Sequence, residues 1–374
     1  MPPSGARGGR DRLAEWLDRN AGKVFILPAV LTLLAFALFP LLVSAWLSLT
    51  RLRLAAGGFS LEYVGWLNFK KLFFGSQQYH LLGTFDRLGA TDWSIVGAVL
   101  ALFLYLFVRY LLRPGVSVVG VIGRSIAFTV ASALTVLLVA TLGGGFPGSL
   151  VVTLFYVFAG VSIQFGLGLG LALLCSQNIT GRNLFRIVFF LPLMVTPVGI
   201  AYMFRMLADM HKGPFAHLWA ALGLGEFAWA SDPWTARLVV LIGDTWQWTP
   251  FMFIVLLAAI ESQPRDQMEA ARIDGAGGWQ IFRDITWPSI APVAATVVLI
   301  RLIEAFKIID LPNVLTNGGP GIATESLTLH AFIAWRTQDL GGSAAVGYTL
   351  LFVATVACLS FFNFAGRKAR GAAP

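Results

Sequence analysis

Polar and aromatic side chains lie within two long apolar runs of this chain. Burial of the polar groups in such runs is costly. The first run contains Asp244, Thr245, Trp246, Gln247, Trp248 and Phe251. The second contains Arg301, Glu304 and Lys307 at three-residue spacing, followed by Asp310. Ionisable residues in such runs usually face a cavity or a partner. Sugars combine apolar ring faces with hydroxyl groups, so these residue types predict a path for a sugar-like solute, formed by Asp244, Gln247, Trp248, Phe251, Glu304, Lys307 and Asp310.

A structural interpretation of the same residues stays open beside the binding path. Residues three apart share a helix face, so Arg301 can pair with Glu304, and Lys307 with Asp310, near the end of the run. Tryptophan is also a common anchor at the interface between membrane and water. The spacing alone favours neither interpretation.

The sequence offers no evident catalytic machinery. Its one Gly-Lys pair, Gly22-Lys23, precedes a valine and lacks the upstream glycine of a phosphate-binding loop. Cys175 and Cys358 fall inside or at the ends of apolar runs, without metal-like spacing. No partner pattern accompanies the four histidines, His80, His211, His217 and His330. We therefore expect no catalytic residues and no metal site on this chain.

Composition identifies an integral membrane protein. Of the 374 residues 57% are hydrophobic and 12% are charged, and the mean hydropathy is +0.75. Soluble domains carry about 25% charged residues. The net charge of +8 comes from lysines and arginines dispersed among loops, which argues against nucleic-acid binding.

The apolar runs long enough to cross a bilayer predict an all-α fold, since a spanning helix needs about 20 apolar residues. The eight predicted spans are residues 24–49, 93–112, 116–142, 150–174, 185–206, 237–260, 289–309 and 346–364. With the amino terminus inside, sixteen lysines and arginines fall on the inner side and nine on the outer side. This bias predicts that both termini are cytoplasmic. Within the inner amino-terminal segment, residues 1–23, the basic sequence predicts a tail or a helix on the membrane surface.

A polar segment, residues 262–288, separates two of these spans. Its sequence has the signals of a helix, a helix end and a second helix. Pro264 suits the first turn of a helix, and Gly275 suits the left-handed residue just past its end. Ala270 and Ala271 leave a narrow face that another backbone can approach. The inner side of the predicted topology includes this segment, so we expect a cytoplasmic docking element.

The same segment carries a family resemblance. The run Glu269-Ala270-Ala271, then Asp274-Gly275-Ala276, then Phe282, Ile285, Pro288 and Pro292 closely resembles the EAA loop of the membrane (permease) subunits of type I ABC importers. In that family the loop is the coupling helix, which fits a cleft of the ATP-hydrolysing subunit. The resemblance therefore implies that ATPase docking rests on Glu269, Ala270, Ala271, Asp274, Gly275 and Ala276. It also implies that ATP and Mg²⁺ bind the partner ATPase, with no cofactor on this chain.

Three further segments resemble the carbohydrate-uptake class of that family, which includes the maltose importer. These are residues 63–69, residues 244–250, and the motif Leu315-Thr316-Asn317-Gly318-Gly319-Pro320 followed by Ala323-Thr324. The class implies six core spans, to which residues 93–148 add an inserted hairpin. The implied divisions are 1–23 (tail), 24–92 (first core span and outer loop), 93–148 (hairpin), 149–366 (five core spans with the coupling loop at 262–288) and 367–374 (tail).

The resemblance thus predicts a non-enzymatic permease subunit of an ATP-driven sugar importer in the bacterial cytoplasmic (inner) membrane. Its implied partners are a second permease subunit, two ATP-binding subunits, an extracytoplasmic solute-binding protein, membrane lipid and the sugar, with no nucleic acid. Two alternatives stay open. One is the same fold importing a polyol or glycerol phosphate, and the other is a secondary transporter driven by an ion gradient.

Overall fold

The computed structural model describes residues 22–23, 25–55, 58–84, 88–112, 118–143, 146–177, 181–223 and 228–370. The predicted surface helix in residues 1–23 lies almost wholly outside these ranges. Within them the protein is helical apart from one β-hairpin. The helices are α1 (Phe25–Ser48), α2 (Leu67–Phe74), α3 (Gln78–Leu82), α4 (Ala90–Leu111), α5 (Val118–Gly143), α6 (Ser149–Cys175), α7 (Arg182–Met194), α8 (Pro197–Ala208), α9 (Ala216–Ala221), α10 (Pro233–Glu261), α11 (Arg265–Ile273), α12 (Gly278–Ala305), α13 (Asp310–Thr316), α14 (Leu327–Arg336) and α15 (Leu340–Arg370).

Six of these helices, α1, α4, α6, α10, α12 and α15, are long and apolar enough to cross a membrane. A bent pair, α7 and α8, makes up to seven candidates by length and composition. Each coincides with a predicted span, so the mostly helical membrane fold is confirmed. The predicted span 116–142 corresponds to α5, many of whose side chains lie outside the described residues. The count of eight spans therefore stays a prediction.

The span predicted at residues 185–206 differs from the structure, because α7 and α8 meet at an angle of 102°. Pro197 is the first residue of α8, and a proline has no N–H to continue the hydrogen bonds of α7. Thr196 instead caps α8, its hydroxyl oxygen accepting a hydrogen bond from the N–H of Gly199 at 3.3 Å. The cap stabilises a new helix start inside one apolar run.

The predicted all-α class also missed a hairpin in the connection after α1. Strand β1 (Thr50–Ala55) pairs antiparallel with β2 (Gly58–Tyr63), with Leu52 opposite Leu61 in the register. The buried Asn68 fixes the base of this hairpin, donating hydrogen bonds to the backbone oxygens of Ser48 and Thr50, each at 2.8 Å. The hairpin is therefore anchored to the end of α1 and the start of α2.

Two of the long helices contain a wider, π-type turn just before a proline. One turn spans Leu34–Leu38 ahead of Pro40, and the other spans Phe282–Thr286 ahead of Pro288. Since proline cannot donate to the carbonyl one turn earlier, a local widening accommodates it without ending the helix. For this reason α12 begins at Gly278, well before the predicted start of the span at residue 289.

The core forms where α6, α10 and α12 pack together. Its fully buried side chains include Val157, Met252, Phe253 and Val297. Gly168 permits the closest approach, because a Cβ added there would lie 2.5 Å from the Cβ of Met252. The absence of a side chain at this position lets α6 and α10 meet almost backbone to backbone. These three helices position the polar groups described next.

Candidate functional site

Helix α11 is an exposed polar segment between α10 and α12, and its two ends have the predicted local code. It begins after Pro264, which occupies the N-cap. It ends in a Schellman motif, in which the N–H of Ala276 donates to the oxygen of Ala271 at 2.9 Å and the N–H of Gly275 donates to that of Arg272 at 3.1 Å. Gly275 has a φ of +81°, as predicted for the residue that stops the helix. The helix–stop–helix prediction is confirmed.

The predicted docking residues, together called the docking surface, are each exposed or half-buried: Glu269, Ala270, Ala271, Asp274, Gly275 and Ala276. Within the described part of the chain Glu269 has no ion-pair partner, although Arg272 lies at helical spacing. The apolar side chain of Ile273 is 87% exposed. This surface therefore combines an exposed carboxylate with small and apolar groups, a composition suited to a protein partner.

A second polar group lies among α6, α10 and α12, and here every charge has a partner within the chain. Arg301 on α12 forms an ion pair with the carboxylate of Asp244 on α10. Its Nε donates to Oε1 of Gln164 on α6 at 2.7 Å, and Nε2 of Gln164 donates to Oδ2 of Asp244 at 2.8 Å. Arg301 and Asp244 are 1% and 4% exposed. The closed triangle of bonds compensates the cost of burying both charges.

Aromatic rings cover one side of this triangle. The guanidinium of Arg301 lies 4.7 Å from the ring centroid of Trp248, within the range of a cation–π interaction. Trp248 in turn contacts Phe251 edge to face, with 6.2 Å between centroids. Both rings are half-buried. The buried Gln247 lies beside them on α10 and takes no part in the triangle.

The ion pairs expected along α12 form with different partners. The structural interpretation left open above pairs Arg301 with Glu304, but Arg301 points inward to Asp244 because a desolvated guanidinium needs a carboxylate that is buried with it. That interpretation also pairs Lys307 with Asp310, but Lys307 bonds Glu304, with Nζ 2.7 Å from Oε1. This second pair is solvent-accessible, the two side chains being 58% and 37% exposed. Asp310 lies in the first turn of α13.

Gln164 is a residue that sequence reasoning missed. The signal for it was present, since Gln164 is a lone amide in the interior of an apolar helix of 27 residues. A polar side chain in that position is costly unless a partner satisfies it. Its partners lie 80 and 137 residues away in the chain, so the sequence did not disclose them.

A third polar cluster lies at the end of the helices opposite α11. His80 on α3 and His330 on α14 stack with ring centroids 3.9 Å apart, and Nε2 of His80 lies 2.8 Å from Oε1 of Glu325. Ser149 Oγ, at the start of α6, shares a hydrogen bond of 2.9 Å with Nδ1 of His330. The expectation that the histidines lack partners is wrong for these two. Burial, together with the neighbouring His80, lowers the pKa of His330 to about 3, so its imidazole is neutral at physiological pH.

The carbohydrate-class motif forms the connection between α13 and α14. Asn317 and Gly318 both have left-handed backbone conformations, with φ values of 51° and 85°. Thr324 closes the turn by donating to the oxygen of Gly319 at 3.0 Å. Arg237 of α10 donates through Nε to the oxygen of Ala323 at 2.7 Å. The motif is therefore a rigid turn fastened to the same helix that carries Asp244.

Comparison with known proteins matches residues 164–367 to the family described as "Binding-protein-dependent transport system inner membrane component". The trehalose/maltose transport system permease protein MalF of Thermococcus litoralis is 34% identical over 219 residues, 59% of this chain and 74% of the relative. The probable starch degradation products transport system permease protein AmyD of Thermoanaerobacterium thermosulfurigenes is 30% identical over 221 residues, 58% of this chain and 74% of the relative.

A bacterial alginate ABC transporter, solved in complex with an alginate pentasaccharide-bound periplasmic protein, contains a chain of similar fold. The TM-score is 0.63 at 18% identity, and the match covers 96% of this chain and 98% of that chain. A second structure of similar fold is a chain of a bacterial ABC transporter involved in the import of the acidic polysaccharide alginate. Its TM-score is 0.61, also at 18% identity, and the match covers 97% of this chain and all of the other. At this identity the likeness concerns the fold, and it extends beyond the region that the family match covers.

Proposed function

This chain belongs to the family of binding-protein-dependent transport system inner membrane components, and from that premise we propose that it is a permease subunit of an ATP-driven importer for a sugar or oligosaccharide. Relatives named for trehalose, maltose and starch products favour a sugar over a polyol or glycerol phosphate. Family membership favours ATP-driven uptake over an ion-gradient transporter. The observation that carries the proposal is α11, an exposed polar helix held between two long apolar helices.

In this proposal α11 docks on an ATP-binding subunit that holds ATP and Mg²⁺. The exposed carboxylate of Glu269 would meet a donor on that subunit, and the small side chains of Ala270 and Ala271 allow close approach. Because α12 starts only a few residues after Gly275, a displacement of α11 is passed directly to a helix long enough to cross the membrane. Closure of two ATP-binding subunits would thus reorient the path between its inward- and outward-facing states.

The proposed path uses the residues of α10 and α12 in two ways. Trp248 and Phe251 offer half-buried aromatic faces for sugar rings, while Glu304 and Lys307 offer accessible polar groups. Asp244 is engaged with Arg301, so it acts as a positioning residue that fixes the helices carrying those side chains. Gln247 and Asp310 complete the proposed set, one beside the aromatic pair and the other at the start of α13.

The proposed topology has eight spans, with α4 and α5 as an inserted hairpin over residues 93–148 and with α7 and α8 counted as one bent crossing. Both termini and α11 lie in the cytoplasm of a bacterial cell, as the distribution of lysine and arginine indicates. A second permease subunit, two ATP-binding subunits and an extracytoplasmic solute-binding protein complete the assembly. Lipid surrounds the spans.

This proposal is tested by measuring sugar uptake in cells whose chromosomal gene for this chain is replaced by genes for its variants. The probes are radiolabelled maltose and trehalose. Glu269→Ala removes the proposed docking carboxylate and is expected to lower uptake at least about tenfold, the loss typical of a central interface residue. Asp284→Ala is the matched control, since Asp284 is an exposed acid near α11 that pairs with Arg283.

The expected result is normal membrane abundance of both variants, loss of uptake in Glu269→Ala and normal uptake in Asp284→Ala. Normal uptake in Glu269→Ala would overturn the coupling role. Unchanged uptake of both sugars after deletion of the chain would overturn their assignment as cargo.

A further inference from the structure

The cluster of His80, Glu325 and His330 serves none of the functions proposed above. It lies at the end of the helices away from α11, because Glu325 follows the far end of α12 and Ser149 begins α6. A helix of 28 residues is about 42 Å long, so the cluster is far from the coupling segment. Two imidazoles and a carboxylate are the side chains that zinc-binding proteins commonly use.

The cluster holds its potential ligand atoms within a small volume. One nitrogen from each histidine and one oxygen of Glu325 all lie within 4.8 Å of one another. Ligand atoms of a tetrahedral zinc site are about 3.3 Å apart, given bonds of about 2.0 Å. That separation falls between the 2.8 Å of the His80–Glu325 hydrogen bond and the 4.8 Å limit. A small rotation of the stacked rings would bring both nitrogens to one ion.

The charge of Glu325 and the orientation of His330 also favour a cation at this position. Glu325 is 3% exposed, and Oε1 of its carboxylate lies 2.8 Å from Nε2 of His80. A buried carboxylate is costly unless its charge is compensated. The imidazole of His330 is the third potential ligand of the cluster. Its Nδ1 is engaged by Ser149, which leaves Nε2 for a ligand in the way that outer hydrogen bonds orient metal-binding histidines.

The surroundings fix the three side chains before any ion arrives. Leu72, Leu81 and Leu327 are buried together beneath the cluster, which packs α3 against the start of α14. Just after α3, the N–H of Thr84 donates to the oxygen of Phe146 at 2.9 Å. The side chain of His80 is 31% exposed and gives the cluster an opening to solvent.

We propose that His80, Glu325 and His330 form a binding site for a divalent transition-metal ion of the zinc type, which fastens α3 to the start of α14. The site has three protein ligands, and the opening beside His80 leaves the fourth position to water. Its role is structural, since it joins segments 245 residues apart in sequence at the face away from α11. The site is independent of the sugar assignment, because none of its residues belongs to the proposed path or docking surface.

Metal binding is measured on the full chain purified in detergent, stripped with a chelator and dialysed against Zn²⁺. The variants His80→Gln, Glu325→Gln and His330→Gln test the ligands, and His217→Gln is the control because His217 is an exposed histidine outside the cluster. His80→Gln keeps an amide that can still donate to Glu325, so the local fold is preserved. Size-exclusion elution checks folding for every variant.

The expected result is one tightly held Zn²⁺ per chain in the wild type and in His217→Gln, with an affinity at least about 100-fold lower in each ligand variant. Ser149→Ala should weaken binding by about 10–100-fold, as loss of an orienting hydrogen bond does. Equal Zn²⁺ content in wild type and a folded His80→Gln variant would overturn the proposal. A second measurement needs no variant. Co²⁺ bound to the wild-type chain should give the visible absorption of a four-coordinate ion, and a six-coordinate spectrum would also overturn the proposal.

Discussion

The docking surface on α11 and the polar triangle among α6, α10 and α12 both place charged residues between or within apolar runs. The two regions differ in the burial and pairing of those charges. Glu269 of the docking surface is exposed and has no ion-pair partner within the described chain. Asp244 of the polar triangle is buried and bonded to both Arg301 and Gln164. An exposed charge is available to a partner, whereas a buried charge that is already paired holds its own chain together.

Desolvation explains the difference between the two regions. A charge buried among three helices must be neutralised internally, since no water is present to stabilise it. A charge on α11 remains hydrated until a partner replaces the water. The same residue type therefore has a stabilising role in one region and a binding role in the other, and substitutions should separate the two.

The largest effect on stability should come from Asp244→Asn, which leaves the charge of Arg301 buried without compensation. We expect a loss of about 3–5 kcal/mol in the free energy of unfolding. Thermal unfolding of the purified chain in detergent measures it. Glu304→Gln is the matched control, because it breaks the accessible pair with Lys307 and should cost no more than about 1 kcal/mol. Equal losses of unfolding free energy in the two variants would contradict the distinction between the buried and the accessible pair.

The next largest loss of stability should come from Gly168→Ala, in the core that supports the polar triangle. The added Cβ would meet the Cβ of Met252 at 2.5 Å, so α6 and α10 must separate, at a cost of about 1–3 kcal/mol. Gly170→Ala on the same helix is the control, since nothing lies within 4 Å of its added Cβ in the described structure. The same thermal unfolding assay should show a lower midpoint for Gly168→Ala alone.

A smaller effect is expected from Gly275→Ala at the end of α11. Space is open around Gly275, so the cost comes from its φ of +81° and amounts to about 1–2 kcal/mol of local strain. Hydrogen exchange of the amides of Gly275 and Ala276 should become faster, because the Schellman bonds loosen. Gly278→Ala should leave exchange unchanged, and equal acceleration in both variants would contradict this role for Gly275.

The smallest effect on stability is expected from Glu269→Ala, whose side chain makes no ion pair in the described chain. The free energy of unfolding should change by no more than about 0.5 kcal/mol. Thermal unfolding of this variant beside Asp244→Asn measures the contrast between the two regions. A loss comparable with that of Asp244→Asn would show that Glu269 supports the fold and is not kept free for a partner.

The part of this molecule that the sequence could predict is the part controlled by local interactions. Pro264 and Gly275 mark the ends of α11 through backbone preferences that act over one turn, and the apolar runs mark the long helices. The triangle of Arg301, Asp244 and Gln164 depends on packing of three helices, and spacing along α12 pointed instead to Glu304. The histidine cluster was equally hidden, because His80 meets Glu325 only after the chain folds back over 245 residues.

The break between α7 and α8 shows a limit of a different kind. Pro197 and Thr196 were visible in the sequence, but the apolar run around them met the requirement for a single crossing. Hydropathy measures whether a segment suits the membrane and contains no information on helix direction. The cap at Thr196 and the missing N–H of Pro197 determined the bend.

Cross-linking from α11 tests the central claim most directly. A single cysteine replaces Ala270 in the full-length chain, and isolated membranes are treated with a short thiol-reactive cross-linker. The account predicts a covalent product between Ala270→Cys and an ATP-binding subunit, formed from the cytoplasmic side. Labelling of this cysteine by an impermeant reagent added outside intact cells, with no cross-linked ATP-binding subunit, would contradict it.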